Sequence, residues 1–126
     1  MTRLLLDSSA YIAFKKRHPE VVDTLPQAEE IWVSPIVLGE LRAGFLQGSK
    51  RESNERELRI FLESPRVRML VVHEETSERY ATIRVALKKA GIPIAASAMQ
   101  HGLPILTSDR DFQKIPQVIV HHFSPV

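Results

Sequence analysis

The chain has 126 residues, 44% hydrophobic and 25% charged, with a formal net charge of +2 and a pI near 9.2. That length and balance suit one globular domain over residues 1–126 with a sizeable core, and exclude a low-complexity or disordered chain. The absence of cysteine excludes disulfides and thiolate metal sites, and no apolar run approaches a membrane span or a signal peptide, so a cytoplasmic location with no membrane partner is expected.

In chain order, Leu4-Leu5-Leu6 leaves no polar face and reads as a strand buried on both sides, as in parallel sheets covered by helices. It stops at Asp7, where the carboxyl end of a parallel strand would place a ligand site. Ser8 or Ser9 is expected to cap a helix to about Lys16, and Pro19 to restart one toward Gln27. Ile31-Trp32-Val33 is a second buried strand. Ser34-Pro35 then opens a helix to about Gln47, with Val37, Leu41 and Phe45 on one stripe and Glu40 beside it.

A charged helix is expected over Glu52 to Ser64, a third strand over Val67 to Val72, and the longest helix over Glu74 to Ala90. Its stripe is Tyr80, Ile83, Leu87 and Ala90, with Lys88-Lys89 in its last turn and Gly91 at its end. Ala95 to His101 also reads as helical, ended by Gly102, yet nothing in front of Ala95 resembles a cap. Leu103 to Thr107 is a fourth strand, followed by Ser108 and Asp109. Asp111-Phe112 starts a short turn, and Val118 to Val120 is a fifth strand. Short apolar runs alternating with helical patterns indicate an α/β fold with a parallel sheet.

Three carboxylates therefore occupy comparable places. Asp7 and Asp109 follow strands, and Glu40 lies in the second turn of the helix after another. If the strands are neighbours, the three converge on one crevice. Their mutual repulsion would be relieved by a hard divalent cation, Mg²⁺ or Mn²⁺, able to activate water for attack on a phosphodiester. Taken singly, each has an ordinary alternative: a helix cap at Asp7, a turn residue at Asp109, a half-exposed helix acid at Glu40. Thr107 and Ser108 either orient a metal water or cap the next turn.

The five histidines give no support for zinc, since His121-His122 point to opposite faces of a strand and the others stand alone. An aspartyl phosphatase would want a second aspartate where Ser9 stands. A phospho-acceptor receiver would want an acidic pair after the first strand. Lys15-Lys16-Arg17 is the densest basic cluster, but about nine residues at ~1.5 Å each carry it roughly 13 Å from the site edge. Solvated surface or a distal contact suits it better than an active-site clamp. Arg42 and Arg110 are nearer the acids in sequence and better placed to meet phosphate.

The segments Leu4 to Ile12, Ser34 to Gly44 and Gly102 to Phe112 resemble the PIN-domain ribonucleases, and among them the VapC-type toxins of prokaryotic toxin–antitoxin pairs. The resemblance runs essentially end to end. It implies a three-layer α/β/α sandwich with a central parallel sheet of four or five strands, and an Mg²⁺- or Mn²⁺-dependent endoribonuclease. It also implies a cognate antitoxin that blocks the site, contact with DNA only through that antitoxin, and usually a homodimer.

Residue by residue, Asp7 matches the family's first acid, Glu40 its second and Asp109 the acid after the fourth strand, with Asp111 auxiliary as a metal ligand. Ser9 stands where the family often has asparagine, and Thr107 supports the site.

One departure matters. The family usually carries another acid, commonly in an Asn-Asp pair, at the start of the helix represented here by Ala95 to His101, and this chain has no acidic residue between Glu78 and Asp109. Either the chain lacks a short segment between Ile94 and Ala95, leaving a degenerate domain that binds antitoxin or RNA without cutting, or an acid-bearing segment belongs there as a mobile lip of the metal-free site. The cost of deleting the cap of a core helix, typically about 1 kcal/mol, favours the second.

Overall fold

The computed structural model describes residues 3–86, 92–115 and 118–125, without the side chains of 82–86 and 92. Five parallel strands form one sheet in the order β3-β2-β1-β4-β5: β1 Arg3–Leu6, β2 Glu30–Val33, β3 Val67–Met69, β4 Ile105–Thr107 and β5 Val120–His122. β1 is central. Successive strand side chains point to opposite faces, and Leu4, Leu5 and Leu6 are all buried, so both faces of β1 are covered. The third, fourth and fifth strands are shorter than, or displaced from, their expected spans. The fifth begins at Val120 rather than Val118, where pairing with β4 starts.

Among the described residues six helices complete the fold: α1 Ser8–Lys15, α2 Pro19–Thr24, α3 Pro35–Gln47, α4 Arg51–Leu62, α5 Glu74–Ala86 and α6 Ile92–His101. Short 3-10 turns follow at Leu25–Gln27 and Arg110–Lys114. The chain steps from β1 outward to β2 and β3, then returns past β1 to β4. Right-handed crossovers in opposite directions deliver their helices to opposite faces, which gives the three-layer α/β/α arrangement. The return also creates a topological switch point between β1 and β4, where ligands of open parallel sheets bind.

Local signals explain most boundaries. Ser34 caps α3 by accepting the Ile36 N–H at 3.1 Å, with Pro35 at the first helical position. Gly102, at φ 62, ends α6, and the next residue's N–H returns to the Ala98 carbonyl at 3.0 Å. Leu87, Lys88, Lys89, Ala90 and Gly91, expected to complete α5, lie outside the described residues, as does the side chain of Ile83.

Two expectations are corrected. α1 is not capped by serine: Asp7 holds the cap position, and its carboxylate makes no capping bond. α6 begins at Ile92, not Ala95, and passes through Ile94–Ala95 as unbroken helix. Pro93 falls in its first turn, where proline is tolerated, so the missing polar cap at Ala95 is not a break. As it stands in this sequence, α6 carries no acidic residue.

Candidate active site

Asp7 leaves β1 at the switch point, buried to 7% exposure. Its Oδ2 accepts two hydroxyls, from Thr107 at the end of β4 at 2.8 Å and from Ser9 in the first turn of α1 at 2.9 Å. The two hydroxyl oxygens are 3.3 Å apart, and Ser9 Oγ also accepts the Ser108 N–H at 3.1 Å. Both donors converge on one carboxylate oxygen, which fixes its plane. Oδ1 takes no hydrogen bond from the described residues and is not among the buried atoms left without a partner, so it meets solvent.

Glu40 arrives from α3, which Ser34 and Pro35 start at the end of the neighbouring strand β2. Its carboxyl is held above the ordinary value, first by desolvation and then by the negative charge of Asp7, with a Ser8 hydrogen bond acting the other way. The Asp7 charge is felt at Glu40, which puts the two carboxylates within electrostatic range of one another, with Glu40 exposed on α3. Ser8 and Ser9, offered by the sequence as helix caps, thus serve Glu40 and Asp7 instead. Gly44, one turn beyond Glu40, keeps the space beside it open: nothing lies within 4 Å of where a Cβ would stand.

Asp109 takes its ordinary alternative. Its side chain caps the following turn by accepting the Asp111 N–H at 2.9 Å. It reaches the other acids only through its backbone, whose N–H donates to Thr107 Oγ1 at 2.9 Å. Asp111 is paired with Lys114 at 3.1 Å. Among the described residues no group of three or more His, Cys, Asp or Glu side chains stands close enough together to hold a metal ion. The structure therefore seats Asp7 with Ser9 and Thr107 at the switch point, puts Glu40 within electrostatic range of it, and engages Asp109 and Asp111 in bonds of their own turn.

The donor set still suits a hard cation. Mg²⁺ keeps several waters and takes one or two carboxylates plus substrate phosphates, which a solvent-facing Asp7 Oδ1 beside Glu40 can meet.

The two arginines part company. Arg42 forms a bidentate pair with Glu55 of α4, Nε to Oε1 at 3.0 Å and Nη2 to Oε2 at 2.9 Å. That pairing holds α3 against α4 and directs the guanidinium away from the phosphate role expected of it. Arg110 is exposed and makes no hydrogen bond or ion pair with the described residues. The adjacent histidines of β5 turn to separate partners: His121 faces Glu20 at 3.8 Å and His122 Nε2 lies 3.1 Å from the Ser108 carbonyl. Sequence reasoning missed Ser8. Its helix-start position drew attention to capping, and only the fold brings Glu40 within reach.

Comparison with known proteins gives consistent matches. The PIN domain family matches residues 4–118. Ribonuclease VapC4 of Mycobacterium tuberculosis is 36% identical over 126 residues, covering 94% of this chain and 95% of that protein. Those 126 aligned positions hold 94% of this chain's 126 residues, so several positions of the relative have no counterpart here. Ribonuclease VapC2 of Rickettsia felis is 25% identical, covering 94% and 96%. The solved VapBC2 of Rickettsia felis, bound to a promoter DNA fragment, matches with a TM-score of 0.81 at 24% identity, over 96% of this chain and 98% of that one.

Proposed function

The chain belongs to the PIN-domain family, in its VapC group, and on that premise we propose that it is an Mg²⁺- or Mn²⁺-dependent endoribonuclease acting as the toxin of a toxin–antitoxin pair. The observation that carries the reading is the buried Asp7 carboxylate at the β1/β4 switch point, held through one oxygen by Thr107 and Ser9 with the Glu40 carboxyl in electrostatic range. Desolvation and then the Asp7 charge work against ionised Glu40, and a divalent cation would offset that repulsion. Asp7 and Glu40 would hold the cation directly, with Asp109 and Asp111 acting through water. When bound, it supplies water activation and charge compensation at a phosphodiester.

The chain's own residues supply orientation. Thr107 and Ser9 fix the Asp7 carboxylate through one oxygen and leave the other outward. The Ser8 hydrogen bond favours ionised Glu40 against burial and the Asp7 charge. Arg110, exposed and without a partner among the described residues, would meet substrate phosphate. A cognate antitoxin blocking this cleft, a homodimer and a cytoplasmic location belong to the same reading. DNA is reached only through the antitoxin.

A second reading, a PIN domain that binds antitoxin or RNA without cutting, is favoured by the absence of any acid in α6 and of a three-carboxylate group among the described residues. RNA cleavage separates the two. Cleavage by the wild type in Mg²⁺, abolished by a chelator and by Asp7→Asn, supports the nuclease. No cleavage under any condition leaves the binding protein.

A further inference from the structure

We infer that the cleft beside Ser9 and Ser108 is a subsite for the RNA strand next to the reacting phosphate, with Lys16 and Arg17 as its phosphate-binding groups; this rests on the endoribonuclease reading above. The cleft has a volume of about 510 Å³ and begins at Ser9, whose hydroxyl donates to Asp7. Ile12 on α1, Lys16, Arg17 and, from the C-terminal segment, Phe123 also line it. No acidic side chain lines it among the described residues. The α1 cations are thus joined to the site edge by a continuous surface, although the helix carries them away from it.

The end of α1 is built to present those cations. The Arg17 N–H returns to the Phe14 carbonyl at 3.0 Å and the next N–H, of His18, to Ala13 at 2.9 Å, a Schellman closure. Such a closure puts its central residue in the left-handed region, where glycine is the unstrained choice, yet Arg17 occupies it at φ 59. A strained side-chain-bearing residue at this turn is a pointer to function. Lys15 pairs with Glu57 at 3.1 Å, whereas Lys16 and Arg17 are exposed and form no ion pair among the described residues.

The C-terminal part of the lining is held by His18. Its Nδ1 accepts the Glu20 N–H at 3.2 Å, so Nε2 carries the proton and donates to the Ser124 carbonyl at 2.6 Å. Its ring also stacks edge-on against Phe123, with centroids 5.1 Å apart. The C-terminal segment is thereby pinned across the α1–α2 junction.

A groove with free cations, an apolar floor and no acid fits a phosphodiester strand that tracks its backbone along positive charge. It fits a basic peptide poorly.

The test is binding of a fluorescein-labelled single-stranded RNA of mixed sequence, in chelator and on the Asp7→Asn background, across a salt series. Lys16→Ala and Arg17→Gly together are expected to weaken binding on the order of tenfold and lower the salt slope by about 0.7 for each phosphate no longer neutralised. Arg17→Gly alone should leave the thermal midpoint unchanged or raised, because glycine adopts this φ without strain. Unchanged affinity and salt slope in both variants would overturn the inference. So would intact RNA binding with a weakened antitoxin complex, which would assign the cleft to the protein partner. Cleft-dependent RNA binding by a chain that never cleaves upholds the subsite and removes only the nuclease reading.

Discussion

Thr107 Oγ1 donates to Asp7 Oδ2 at 2.8 Å, joining the carboxyl ends of β1 and β4 across 100 residues of sequence. Thr107 is fully buried, and the same hydroxyl accepts the Asp109 N–H. One side chain thus orients the central carboxylate and anchors the turn that carries the outer acids.

Replacing Thr107 by valine keeps the shape and removes both bonds. The unpaired Asp109 N–H costs about 1–3 kcal/mol if it stays unsatisfied. Losing an orienting partner of a metal-binding carboxylate typically lowers activity about 10- to 100-fold. Thr107→Ser should restore both. Urea unfolding and RNA cleavage rates, measured on the two variants, check the pair of effects.

Glu40 gives a pH signature with a definite sign. Its folded-state value is raised, so its contribution to stability is fully present below its ordinary value near 4.5 and is lost as pH rises through the elevated folded value. In chelator, wild-type stability should fall across that window relative to Glu40→Gln, and the variant should melt slightly higher at neutral pH. Mg²⁺ should reverse the order by offsetting the repulsion from Asp7. Thermal midpoints against pH, with and without Mg²⁺, test this; a neutral-pH loss of stability in Glu40→Gln without metal would contradict it.

Arg42 is engaged by Glu55, whose carboxyl is lowered chiefly by that hydrogen bond. Both side chains are about two-fifths exposed or less, and pairs of this kind contribute little. Arg42→Ala and Glu55→Ala should therefore each cause small, similar drops in thermal midpoint and leave RNA affinity near that of the wild type. A loss of RNA affinity confined to Arg42→Ala would return the arginine to a phosphate role.

Leu5 lies at the centre of the central strand with no exposed surface, paired to Trp32 on one side and Ile105 on the other. Leu5→Ala should destabilise by about 2–5 kcal/mol, seen as a lower urea midpoint with little change in slope.

The central strand and the place of Asp7 at its carboxyl end were legible in the sequence, because three consecutive leucines ending at an aspartate carry both burial and placement. The start of α3 was equally plain, since Ser34 and Pro35 are local signals. What could not be read was how competing local roles resolve. Asp7 and Asp109 both follow strands before helical turns, and each had a cap as its ordinary alternative. Asp109 caps and Asp7 does not, because only Asp7 has hydroxyls arriving from two other positions to claim its oxygen. The start of α6 was hidden for a related reason: a polar cap is the usual signal, whereas here the helix opens on Ile92 and takes Pro93 into its first turn. Arg42 looked free because its partner, Glu55, lies on another helix.

The most direct test of the account is cleavage of RNA by the purified chain, in Mg²⁺ and in chelator, beside Asp7→Asn. Cleavage confined to the wild type with Mg²⁺ is the result the account predicts. Equal cleavage in all arms, or none from the wild type with Mg²⁺, would contradict it.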